Sequence, residues 1–200
     1  MGTPLREGLR LVHNTLVGIG LRDKIKLGAS GRIISAFDMT RIMALGADWC
    51  NSARGFMFAV GCIQAQACHT GACPTGVATQ DPKRQKALVV SDKSVRVANF
   101  HENTLRALAE LLGAAGLQHP DQLRPHHIAR RISSDEVRVL SALFPDLEPG
   151  EILQGKFRQT IFRVAWPMAR ADSFEPSYSL SAALSGHAVV SEAPEATQAG

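Results

Sequence analysis

The chain has 200 residues, enough for one ordinary domain or a large piece of a bigger one. Its hydrophobic fraction of 45% and charged fraction of 20% fit a soluble globular protein able to form a sizeable core. No apolar run approaches the ~18 to 20 uncharged residues of a transmembrane helix, and the start lacks the basic and apolar regions of a signal peptide. A cytoplasmic, reducing location with no membrane span is therefore expected. A net charge of +4 and a pI near 9.1 raise the question of nucleic acid. The basic residues are scattered and there is a single Tyr, so the interleaved aromatic and basic pattern of an RNA-binding sheet is missing and no nucleic-acid partner is expected.

In chain order, Leu5, Leu9, Val12, Leu16 and Ile19 recur at helical spacing, and Gly18 and Gly20 mark the end of that first helix. Lys24 to Leu27 reads as a short strand running into the turn Gly28-Ala29-Ser30-Gly31. Phe37 to Leu45 has helix periodicity and closes at Gly46. Asp48 to Ser52 reads as a second buried strand, and Ala53-Arg54-Gly55 as another small-residue turn. This alternation is that of a parallel α/β sheet or barrel. Beyond a loop from Gly61 to about Asp81, Ser94 is placed to cap a long helix through about Leu112, with Val95, Phe100, Leu105, Leu108 and Leu112 along one side. Leu117 to Ile132 reads as a short helix or turn packed on it, and Ser133 to Glu136 fits a capping box for a further helix. Glu151 to Val164 reads as extended or irregular. From Ala169 the chain is rich in Ser, Ala, Pro and Glu without periodicity, as in a disordered tail. No internal repeat is visible.

The loop carries the sharpest chemical signal. Cys62, Cys68 and Cys73 form a C-x5-C-x4-C run followed at once by Pro74, which brings three thiolates onto one tight loop, as a small iron-sulfur cluster requires. Structural zinc prefers four N or S donors with close C-x2-C pairs, which this loop lacks; His69 leaves a Cys3His zinc site as an alternative. A disulfide would leave one cysteine unpaired in a chain that nothing marks as secreted. Three buried cysteines acting as small hydrophobes would explain neither their clustering nor the turn-forming Pro74 and Gly76.

The second signal is the pair of small-residue turns, one after each strand. Backbone N–H groups of such loops, and of a helix start beside them, cradle phosphate in parallel barrels. Ser30, Gly31 and Arg32 in the first turn and Ala53 and Arg54 in the second suit that task, with Arg32 or Arg54 adding a charge-assisted bond; ordinary βα turns are the competing reading. His69 is placed to bond a cluster sulfur or to stabilise its turn. His101, His126 and His127 lack a partnering carboxylate pattern and are expected to pack or face solvent, and Cys50 reads as a buried thiol.

Gly46-Ala47-Asp48, Gly61-Cys62, Cys68-His69 and the string Cys73-Pro74-Thr75-Gly76-Val77-Ala78-Thr79-Gln80 resemble the FMN-binding synthase domain of the glutamate synthase family. The likeness runs from about Thr3 to Arg131 and includes Pro125-His126-His127, as in the stand-alone glutamate synthase-like proteins. The resemblance implies an α/β fold that is the C-terminal portion of a (β/α)8 TIM-type barrel. Residues 1–60 would form its last two βα units, 61–81 the cluster loop, 82–150 a helical extension, 151–168 an irregular segment and 169–200 a disordered tail. It further implies FMN with its phosphate at Ser30, Gly31, Arg32, Ala53 and Arg54, and a 3Fe-4S cluster on Cys62, Cys68 and Cys73. The implied reaction is reduction of 2-iminoglutarate, formed from 2-oxoglutarate and ammonia, to L-glutamate. Electrons would come from ferredoxin or from a partner subunit that oxidises NAD(P)H. A complete barrel takes about 250 residues, so a missing barrel half or a partner subunit is expected. A non-catalytic electron-transfer module, a truncated remnant and an N-methylglutamate synthase-type subunit stand as alternatives. The three-cysteine spacing does not suit the single-nucleophile loop of IMP dehydrogenase.

Overall fold

The structure is a computed structural model and describes residues 2–175 and residue 177; most of the segment expected as a tail, 169–200, lies outside the described residues. The chain divides into two compact units at Pro149–Gly150.

The first unit begins with α1 (Leu5–Gly18), which buries Leu9 and Arg10 on one face. Strand β1 (Gly28–Ser30) follows, then α2 (Ala36–Ala44), β2 (Trp49–Asn51) and α3 (Ala53–Val60). The two strands pair in parallel, with Gly28 opposite Trp49 and Ser30 opposite Asn51. β1 starts one residue beyond the expected Lys24–Leu27 strand because Gly28-Ala29-Ser30, read as a turn, makes the ladder. Helix α2 is started by a complete capping box, in which Ser35 Oγ accepts from the Asp38 N–H at 3.2 Å and Asp38 Oδ2 accepts from the Ser35 N–H at 3.1 Å. Together these elements are mixed α/β.

The second strand is half covered rather than buried. Ala29 is enclosed while Trp49 is 48% exposed, so one face of the sheet packs on helices and the other stays open. The Trp49 indole lies against Gly28, where a Cβ would come within 2.4 Å of Cε2; only glycine admits the ring there.

After the loop come α4 (Pro82–Gln85) and α5 (Val90–Ala114). Helix α5 starts four residues before the expected Ser94, whose hydroxyl instead donates to the Ser91 carbonyl at 3.1 Å within the helix. The preceding Leu88 N–H donates to Gln85 O at 2.9 Å and leads the chain into the helix without a capping side chain. Only the C-terminal half of its apolar row is enclosed: Leu108 and Leu112 are buried, whereas Val95 and Leu105 are exposed. The core joins Ile33, Ile42 and Leu45 to Leu108, Leu112, Leu123, Ile128 and Leu140.

The segment expected as a capped helix is a hairpin, β3 (Ala129–Arg131) against β4 (Val137–Val139), antiparallel. Ser133 Oγ donates to Asp135 at 2.8 Å and Ile132 N–H to Glu136 O at 2.9 Å, so the four residues close a turn. The alternating valines of β4 favour a strand. α6 (Leu140–Leu143) follows.

Two polar networks tie the first unit together. Arg10, 4% exposed, donates to Leu45 O at 3.3 Å, Asn14 Oδ1 at 3.1 Å and Phe144 O at 3.4 Å, and pairs with Asp146. Below the strand starts, Arg22 donates to Asp48 Oδ2 at 2.9 Å, Gly46 O at 2.8 Å and His13 Nδ1 at 3.1 Å. Burial, then the Arg10 and Arg22 charges, press the His13 pKa down to about 4.

In the second unit α7 (Thr160–Ala165) replaces part of the expected irregular stretch, burying Phe162. At six residues it is too short for periodicity to reveal. Glu151, 2% exposed, takes a two-pronged bond from Arg158 at 3.0 and 2.7 Å.

Candidate functional site

Parallel pairing sets the ends of β1 and β2 side by side, so the turns after Ser30 and Asn51 are neighbours. They are latched directly: Ser52 Oγ donates to Ile33 O at 2.7 Å. That bond spends the Ser52 hydroxyl, and α3 starts with no side-chain cap. The contrast with the fully capped α2 matters, because the first N–H groups of α3, at Ala53 and Arg54, keep no side-chain acceptor and stand at the positive end of the helix dipole. In the first turn Gly31 has φ +150° and Arg32 has φ +53°, a left-handed conformation that a non-glycine residue adopts at a cost. Arg32 and Arg54 are both exposed. The expected second turn is thus the opening of a helix. Its apolar, small-residue composition carries no periodic polar face by which sequence could distinguish it.

Helix α3 ends at Gly61, φ +119°, and the Cys62 N–H donates to Met57 O at 2.9 Å, which fixes Cys62 at the helix exit. The chain then passes through two left-handed non-glycine residues, Gln64 (φ +57°) and Gln66 (φ +56°), before a single 3-10 turn over Cys68–Thr70. Gly71 and Gly76 supply two further positive-φ positions. Thr70 Oγ1 accepts from the Ala72 N–H at 3.2 Å, Gln85 Nε2 donates to Thr79 O at 3.0 Å, and Asp81 caps α4 through the Lys83 N–H at 2.9 Å. As expected from Pro74, no regular helix forms between Cys73 and Gly76.

These restraints bring Cys62, Cys68 and Cys73 to the lining of one small pocket, with Ile63 and Thr75 among its walls. Cys73 is buried, Cys62 half-buried and Cys68 exposed, and all are free thiols. The Cys73 thiol is drawn down to about 7, first by the Thr75 hydroxyl, 3.5 Å from its sulfur, then by the backbone N–H of Ala78, with those of Thr75 and Val77 adding to it. A thiol so surrounded by donors is prepared to serve as a thiolate ligand. His69 is exposed and does not line the pocket. Among the described residues no three His, Cys, Asp or Glu side chains converge on a single-ion site.

Cys50 behaves differently: half-buried in β2, it is pushed up to about 11 by burial and stays a thiol. Of the histidines expected to pack or face solvent, His101 is exposed with its ring 5.9 Å from that of Phe56, and His127 Nδ1 accepts the Arg124 N–H at 2.9 Å.

The amino-acid sequence is similar to those of known proteins. Residues 1–118 match a family model described as a conserved region in glutamate synthase. The glutamate synthase large subunit-like protein YerD of Bacillus subtilis is 44% identical over 131 residues, 66% of this chain and 25% of that protein. The archaeal glutamate synthase (NADPH) of Methanocaldococcus jannaschii is 37% identical over 143 residues, 70% of this chain and 28% of that protein. A ferredoxin-dependent glutamate synthase of Synechocystis is 35% identical over 117 residues, 58% of this chain and 8% of that protein. The chain thus spans about a quarter of the length of the first two relatives, and with the family model covering residues 1–118 of its 200, it belongs to the glutamate synthase family.

Proposed function

We propose that this chain is the flavin-phosphate and cluster-bearing end of a glutamate synthase-type oxidoreductase, the C-terminal portion of a (β/α)8 barrel. The observation that carries the reading is the convergence of Cys62, Cys68 and Cys73 on one pocket, with buried Cys73 already biased toward its thiolate. These three hold a 3Fe-4S cluster, and the Thr75, Val77 and Ala78 donors around Cys73 stabilise the negative charge of its sulfur. The FMN phosphate is held at Ser30, Gly31 and Arg32 and at the uncapped α3 start, Ala53 and Arg54, chiefly by backbone N–H groups. When bound, flavin and cluster supply the electrons that reduce 2-iminoglutarate, formed from 2-oxoglutarate and ammonia, to L-glutamate.

β1 and β2 are the only strands of their sheet among the described residues, so each leaves one edge unpaired. Those edges are completed by the remaining strands of the barrel, supplied by more of the same polypeptide or by a partner subunit. The electron donor is ferredoxin or an NAD(P)H-oxidising subunit, and the working location is the cytoplasm. No described helix is long and apolar enough to cross a membrane.

Anaerobic purification with quantification of iron, sulfide and FMN tests the assignment. Cys68→Ser should abolish the cluster absorption and release iron, whereas Cys50→Ser, at a thiol outside the pocket, should leave both unchanged. Equal loss in the two variants would refute it, and iron retained without flavin would favour an electron-transfer module instead.

A further inference from the structure

Helix α5 carries two cations to the exit of α3, where the cysteine loop begins. Phe100 packs edge-on against Phe56 of α3, with ring centroids 5.3 Å apart, and this contact fixes which side of α5 faces α3. Arg96 lies four residues before Phe100 and Lys93 seven, so both stand on that same face. Their heads meet at one point: a Cβ on Gly61 would lie 3.6 Å from Lys93 Nζ and 4.0 Å from Arg96 Nη1. The next residue is Cys62.

Lys93 and Arg96 also line a cleft of about 420 Å³ together with Cys62, Ile63, Pro74 and Thr75. The last four are walls of the thiol pocket too, so the two cavities share one stretch of loop. Among the described residues no carboxylate lines the cleft. Lys93 pairs at 3.2 Å with Asp92, which is 59% exposed and outside the cleft wall. Among the described residues Arg96 makes no hydrogen bond or ion pair. Near Cys73, Arg84 reaches the Ala72 carbonyl at 3.4 Å, but its charge is matched by Asp81 at 3.5 Å. Unmatched positive charge is therefore concentrated beside Cys62. A purely structural role would be to balance the C-terminal pole of α3. That pole amounts to about half an elementary charge, and the N–H groups of Gly61 and Cys62 already bond to the last carbonyls of the helix. Two full charges exceed what α3 needs.

We infer that Lys93 and Arg96 raise the reduction potential of the cluster held on Cys62, Cys68 and Cys73; the inference rests on that cluster assignment. One electron leaves the donor, which is oxidised by one, and adds one negative charge to the loop, with no bond made or broken. Neighbouring cations stabilise the reduced state more than the oxidised one. A unit charge about 6 Å away in a water-like medium favours reduction about threefold, or about 28 mV at 59 mV per tenfold for a one-electron couple.

The test reconstitutes the full chain anaerobically, quantifies iron and sulfide, and reads the midpoint potential by redox titration followed by electron paramagnetic resonance. Lys93→Gln and Arg96→Gln should each lower the potential by about 28 mV and the double variant by about 56 mV, with iron and sulfide retained. High salt should shrink these shifts by screening. Lys93→Arg keeps the charge and should keep the parent's potential. So should Arg106→Gln, which removes an α5 charge outside the cleft, paired with Glu102 at 3.0 Å. Equal potentials in the parent and the double variant, both carrying the cluster, would overturn the inference and leave the cluster assignment standing. Equal drops in Lys93→Arg and Lys93→Gln would also overturn it, because shape rather than charge would then set the potential. A parent chain that binds no iron or sulfide would overturn the cluster assignment and the inference with it.

Discussion

Gly71 and Gly76 offer a matched pair of perturbations within the cysteine loop. Both are left-handed, at φ +70° and +76°, so replacing either by alanine imposes a similar conformational cost of about 1 kcal/mol. Their surroundings differ. A Cβ on Gly71 meets nothing within 4 Å, whereas on Gly76 it would lie 2.4 Å from the Arg84 carbonyl oxygen and 3.2 Å from its carbon. Contacts under 3.0 Å do not persist, so the α4 backbone must retreat by about 0.6 Å or more to carry the Arg84 oxygen from 2.4 Å to that limit. A retreat strains the Asp81 cap and the bond from Gln85 to Thr79 O, adding about 2 kcal/mol. Gly71→Ala should therefore cost about 1 kcal/mol and Gly76→Ala about 3 kcal/mol in urea unfolding followed by circular dichroism. Gly76→Ala should also hold less iron after anaerobic reconstitution, because Cys73 precedes it by three residues. Equal destabilisation by the two variants would refute the argument that packing against α4 sets the loop.

Acid should weaken the fold through His13. Its folded pKa of about 4 lies below the ordinary 6.5, so the unfolded chain binds more protons between those values. The contribution is fully present above about pH 6.5 and is lost as pH falls toward 4, amounting to about 2 kcal/mol after discounting for the ring's partial exposure. Urea midpoints for His13→Asn should decline less across that window than the parent's, and parallel curves would disprove the assignment. Arg10→Met keeps an apolar stem but strips the buried guanidinium from the Leu45 and Phe144 carbonyls and Asp146. A loss of about 2 to 3 kcal/mol is expected, with faster hydrogen exchange near residue 144; stability within 0.5 kcal/mol of the parent, about the ordinary scatter of surface changes, would contradict it.

Much of the candidate site was legible locally. The cysteine spacing and Pro74 announce a tight cysteine loop, and Gly71 and Gly76 take the positive φ values that glycine permits. The first helix and α2 follow from periodicity, and Gly46 ends the second as expected. Other signals misled for identifiable reasons. Ser133 to Glu136 has the letters of a capping box, but the residues on either side pair as strands and turn those side chains to closing a hairpin. Ala53-Arg54-Gly55 looks like a turn because the helix it opens is short, apolar and uncapped. Ser94 has capping chemistry yet lies inside a helix nucleated upstream.

Sequence alone was sufficient for the α/β class, the grouping of Cys62, Cys68 and Cys73 on one tight loop, and the family, because spacing and backbone preference are local properties written within a few residues. Only the tertiary structure decided that Ser52 spends its hydroxyl on Ile33 and leaves α3 uncapped, that His69 stays outside the thiol pocket, and that Lys93 and Arg96 meet at Gly61. Those outcomes depend on which surfaces pack together. The free energy of packing is set by contacts between distant segments, for which a single stretch of sequence carries no local signature.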